Sequence, residues 1–126
     1  MAAKHLLIVT VLAETPVGLM LLFTPTLVPR LLLDASLDAP VGFIVSRVAG
    51  AALLSLTLAC WLARGDGVAA RGLISALLLY NIAAAAVLVH AGAILGLAGM
   101  LLWPAVGLHA VLAAWCGVAV AAPHSS

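Results

Sequence analysis

Long apolar runs broken by short polar interruptions organise this chain. Four runs, roughly 5–24, 41–63, 70–91 and 99–121, are each close to the ~20 residues that carry a helix across a ~30 Å hydrocarbon layer. They are rich in Leu and Ala and lack the period-2 alternation of barrel strands. In lipid every backbone N–H and C=O must find a partner within the chain, so these runs predict helices. The expected fold class is all-α, a four-transmembrane-helix bundle forming a single integral membrane domain over 1–126.

The interruptions mark the boundaries. The first span is expected to end near Phe23, because Thr24-Pro25 reads as a helix start, with Thr as cap and Pro where no N–H is needed. The stretch PTLVPRLLL then predicts a short interfacial helix between the first and second spans. Asp34, Ser36 and Asp38 make the wet part of that connection, and Asp38-Ala39-Pro40 reads as the start of the second span. The segment AGAILGLAGM, before the fourth span, holds three glycines and no charge. A freely solvated loop would be polar, so this one is expected in the membrane interface or against a partner.

Composition sharpens the reading. Hydrophobic residues make up 67% and charged residues 7% of the chain, whereas a soluble domain carries about 25% charged residues. That excludes a water-soluble fold. Lys4 and His5 precede the first run as in a signal peptide, but Glu14 interrupts it and no cleavage site follows, so it is kept as a permanent span. The formal net charge is +1 and the basic residues are scattered, which leaves no nucleic-acid footprint.

Lys4, Arg64 and Arg71 lie at one membrane face, against Arg30 at the other and Arg47 within a span. The positive-inside rule then puts both termini and the RGDGVAAR loop in the cytoplasm, in a cytoplasmic (inner) membrane. Expected partners are the lipid bilayer and a homo-oligomer or larger membrane complex, with no nucleic acid. Trp61, Trp103 and Trp115 fall near span ends, as in an aromatic belt. Cys60 and Cys116, beside two of them, are expected as reduced, buried structural cysteines.

Candidate chemistry concentrates at mid-depth. At ~1.5 Å per helical residue, Glu14 lies roughly 13 Å from the inner edge and Arg47 roughly 11 Å from the outer one. Their backbones then differ in depth by about 6 Å, within reach of an extended Arg side chain. A lone charge at the bilayer centre costs ~2.5–3.5 kcal/mol on insertion scales, so a buried Glu14–Arg47 pair is expected. Tyr80 and Asn81 in the third span and His109 in the fourth fall at the same level, which makes a polar layer able to line a cavity or proton path. Pro16 adds to that layer by freeing the carbonyl of Leu12.

Gly42, Ser46 and Gly50 line one face of the second span with small side chains, suited to close helix packing within the chain or, alternatively, to a homodimer seam. His90 and His109 are the candidates for a paired-His haem or metal site, but His90 closes the third span and the depths disagree. No Cys-x-x-Cys, His-Glu-x-x-His, Walker or dinucleotide motif occurs, so no cofactor is expected and an enzyme has little support.

Two resemblances follow from these residues. Leu12-Ala13-Glu14, with four spans, resembles the small multidrug resistance transporters, which implies a proton-coupled antiporter that acts as a dimer and binds cations at the glutamate. The second span, RVAGAALLSLTLACWLAR, is similar to that of small bacterial four-helix membrane proteins of the DoxX-like kind, which implies an architecture more than an activity. The leading expectation is a non-enzymatic accessory or interaction subunit braced by Glu14–Arg47. The alternatives are a proton-coupled small-molecule transporter using Glu14 and a haem- or metal-binding protein using His90 and His109.

Overall fold

The computed structural model describes residues 2–122. The chain forms helices α1 (Ala2–Phe23), α2 (Leu27–Leu33), α3 (Pro40–Ala63), α4 (Gly67–Ala93) and α5 (Leu102–Ala121), with no strand among the described residues. Four of them, all but α2, are long and apolar enough to cross a membrane. The expected all-α bundle with a short helix between the first two spans is therefore what forms.

α1 continues through Pro16 to Phe23. Thr24 closes it rather than opening α2, because its amide and hydroxyl both donate to the Met20 carbonyl, at 2.8 and 3.0 Å. α2 instead starts after Thr26, without a side-chain cap, and ends at Asp34 in the left-handed region (φ 50°), whose amide donates to the Arg30 carbonyl. α3 opens with Pro40 in its first turn, as its sequence predicts. Asp66 caps α4 by accepting from the amides of Val68 and Ala69 at 2.9 and 3.1 Å. On the turn before it, the Arg64 guanidinium stacks 3.6 Å from the Trp61 ring centroid and donates to the Trp61 carbonyl.

The spans associate as two pairs, α1 with α3 and α4 with α5, which meet each other less extensively. The first pair closes on backbone. A Cβ added to Gly50 would stand 2.7 Å from the Gly18 carbonyl oxygen and 2.7 Å from the Leu22 nitrogen, so α1 and α3 touch where neither has a side chain. Ser46, one turn away, donates to the Pro25 carbonyl at 3.2 Å and ties α3 to the turn that follows α1. The small-residue face thus packs inside the chain, with Gly42 against the side chain of Leu37.

At the end of the bundle where α1 begins and α5 ends, Leu6, Leu7, Cys60, Ile74, Leu77, Leu112 and Cys116 form a buried core, and both cysteines are free. The opposite end is organised by α2. The connection from α4 to α5 docks there: the amides of Gly99 and Leu101 donate to the carbonyls of Leu32 and Leu31, each at 3.0 Å. These two carbonyls lie in the last turn of a helix, where backbone acceptors lack intrahelical donors. The apolar connection is therefore seated against the chain's own short helix, and Gly99 is required because a Cβ there would run into the Leu31 carbonyl.

Candidate functional site

Between the helix pairs, on the α2 side of the buried core, lies a cavity of about 630 Å³. Its walls are Val, Leu, Met and Ala side chains, with Val28 and Leu31 of α2 at one end and Glu14, Tyr80 and His109 as its polar members. The hollow exists because small, partly buried side chains, Ala13, Ala84 and Ala105, line it where the other half of the bundle has Leu and Ile.

The polar groups come from three helices. The Tyr80 hydroxyl on α4 donates to Glu14 Oε2 on α1 at 3.2 Å. Beside it, Asn81 Nδ2 donates to the Leu77 carbonyl one turn back, at 2.8 Å, and Asn81 Oδ1 lies 2.8 Å from His109 Nδ1 on α5. The Tyr80 and His109 rings meet edge to face, with centroids 5.6 Å apart and planes at 83°. Glu14 and Asn81 are buried, while Tyr80 and His109 are half-buried where they line the cavity. Four of the five residues expected at mid-depth are thus brought together.

Arg47 is the exception. It is exposed, and no ion pair with Glu14 forms among the described residues, so the expected brace is replaced by the Tyr80 bond. Rotation about the helix axis explains this. Ser46 and Gly50 are buried against α1 and the turn that follows it, and position 47 is turned about 100° from Ser46 at 3.6 residues per turn. It shares its outward flank with Ile44 and Val48, each 63% exposed. Counting residues gives depth, and the small-residue stripe carried the missing azimuth.

His90 and His109 do not come together either. His109 is held at the level of Asn81, whereas His90 is exposed in the last turn of α4, nine residues or about 13 Å further along the axis. Those two rings cannot share one metal or haem axis in this arrangement. Among the described residues no group of three or more His, Cys, Asp and Glu side chains is placed to hold a metal ion.

Two residues were not picked out from the sequence. Gly18 is the α1 half of the close approach at Gly50. Thr10 is 1% exposed and its hydroxyl has no partner among the described residues. It lies four positions before Glu14, one turn along the same helix face, and that spacing was the signal available.

Chemically, the polar side of the cavity offers hydrogen-bonding groups fixed by their neighbours and bordered by apolar walls, an arrangement suited to holding one polar end of a largely apolar molecule. Comparisons with protein-family models, curated proteins and solved structures gave no match to the chain.

Proposed function

We propose that this small integral membrane protein binds an amphiphilic small molecule between its two helix pairs. The carrying observation is the cavity of about 630 Å³, apolar along its length and polar at Glu14, Tyr80 and His109. That volume falls within the ~300–1,000 Å³ typical of small-molecule sites, which combine apolar walls with a few placed polar groups. The body of the ligand lies toward α2 and its head meets the Tyr80–Glu14 bond.

Binding rather than passage across the bilayer is the preferred role, because the terminal half of the bundle is filled by Leu6, Leu7, Leu77 and Leu112. The resemblance carried by Leu12-Ala13-Glu14 is in keeping with a membrane carboxyl that serves a ligand. On the charge bias of Lys4, Arg64 and Arg71 over Arg30, the same reading puts both termini in the cytoplasm of a bacterial inner-membrane protein.

The test is mass spectrometry of molecules extracted from the purified protein. An amphiphile retained near one per chain by the wild type and reduced in Ala84→Phe, which puts a phenyl ring into the cavity, is the expected result. No molecule enriched in the wild type over that variant, even after incubation with a membrane lipid extract, would count against it.

A second reading, an accessory or oligomeric subunit, is favoured by Arg47. An arginine on the outer surface seven residues inside α3 is costly in lipid unless it reaches the headgroups or an acidic partner. Its side chain leans toward the N-terminal end of α3, so headgroups are within its reach. Solubilised mass of the wild type and Arg47→Leu decides this, since loss of a larger assembly in the variant identifies Arg47 as a contact.

A further inference from the structure

We propose that the cavity selects molecules whose head group donates a hydrogen bond, with an alcohol or phenol hydroxyl as the chemical class, and that Asn81 is the positioning residue that sets this preference. The inference rests on the ligand reading above and adds the polarity of the site.

The Asn81 amide is held in one orientation. Its Nδ2 donates to the Leu77 carbonyl at 2.8 Å, which fixes the orientation of the amide and leaves Oδ1 facing His109 Nδ1, also at 2.8 Å. Two acceptors cannot bond each other, so His109 Nδ1 carries the hydrogen. A neutral imidazole has a single N–H, and Nε2 therefore keeps its lone pair. No carboxylate forms an ion pair with the ring among the described residues, so nothing there calls for the doubly protonated form.

Tyr80 adds to the same polarity. Its one hydrogen is committed to Glu14 Oε2, so the phenolic oxygen, like His109 Nε2, has only acceptor capacity left. The edge-to-face contact of the two rings, at 83°, holds them side by side on the cavity wall. A head group with a hydroxyl can donate into this pair. Toward these two atoms a ketone or an ether would set acceptor against acceptor and leave lone pairs without a partner, the situation by which sites built for a hydroxyl reject its isosteres.

The experiment compares 4-octylphenol with its methyl ether 4-octylanisole, which is one methyl larger and cannot donate, and with the smaller octylbenzene as a control for size, binding to the full chain in lipid nanodiscs. Histidine ¹⁵N spectra of the same samples, with His109 assigned by difference from His109→Gln, read the tautomer directly. The expected result is at least tenfold tighter binding of the phenol, with His109 in the Nδ1–H form. In Asn81→Leu the tautomers should mix and the phenol-to-ether ratio should fall toward one.

Equal affinity of the wild type for phenol and ether would overturn the selection while leaving the cavity as a binding site. Binding of neither probe, with neither displacing a retained amphiphile, would overturn both the selection and the ligand reading. A protonated Nε2 in the wild-type spectrum would overturn the role given to Asn81, whether or not Asn81→Leu folds.

Discussion

Tyr80 and Glu14, 66 positions apart in sequence, are joined by a 3.2 Å hydrogen bond that bridges the two helix pairs beside a cavity. The bond gives the membrane carboxyl a neutral partner and leaves Arg47 on the outside. Energetic coupling distinguishes the two arrangements. In double-mutant cycles on thermal stability, Glu14→Gln and Arg47→Gln are expected to be additive within ~0.5 kcal/mol, as for residues without contact. Glu14→Met, which removes the acceptor, and Tyr80→Phe should couple by about 0.6–1.7 kcal/mol, from the mean to the maximum measured for hydrogen bonds between membrane helices. Coupling of several kcal/mol between Glu14 and Arg47 would restore the buried ion pair.

The close approach of α1 and α3 makes glycines on one stripe unequal. Gly50→Ala puts a methyl against the backbone of Gly18 and Leu22, and a cost of about 1–3 kcal/mol is expected for the forced shift. Gly42→Ala meets the Leu37 side chain at 3.2 Å, which can turn aside, so its effect should be smaller. Gly117→Ala faces open space and should be close to neutral. Thermal unfolding in one detergent orders the three.

Much of this was legible in the amino-acid pattern, and the part that was not has a geometric cause. Run lengths located the four spans, and residue counts put Glu14, Tyr80, Asn81 and His109 at one level, because rise per residue is constant. Partner choice depends on rotation and on helix pairing. The pairing of α1 with α3 and of α4 with α5 left Glu14 facing Tyr80, a relation that no count along one helix contains. Thr24 shows the same limit on a local scale. Both it and Thr26 can cap a helix, and the Met20 carbonyl draws the Thr24 hydroxyl to the end of α1.

The seating of the α4–α5 connection on α2 depends on Gly99. Gly99→Ala should push the connection off the Leu31 carbonyl and break the two hydrogen bonds that the amides of residues 99 and 101 donate to Leu32 and Leu31. Hydrogen exchange at those amides is expected to rise at least tenfold, which corresponds to about 1.4 kcal/mol of lost local stability. Exchange in the terminal core around Leu77 and Leu112 should be unaffected.

Asp66 is a cap with no other assigned role. Replacement by Ala removes the acceptor for two first-turn amides of α4 and should cost about 1 kcal/mol of stability. Ligand retention should be unchanged, since Asp66 lies at the end of the bundle away from the polar groups of the cavity.

Glu14 borders an open apolar cavity and is not sealed by an ion pair. Peptide mass mapping after treatment with a lipid-soluble carbodiimide, which modifies carboxyl groups it can reach from the hydrocarbon phase, tests this most directly. An adduct on Glu14 is expected in the wild type, with no change in labelling in Arg47→Leu and less adduct in Ala84→Phe, where a phenyl ring obstructs the cavity and the carboxyl remains. A Glu14 that stays unmodified in the wild type and becomes labelled only when Arg47 is removed would contradict it.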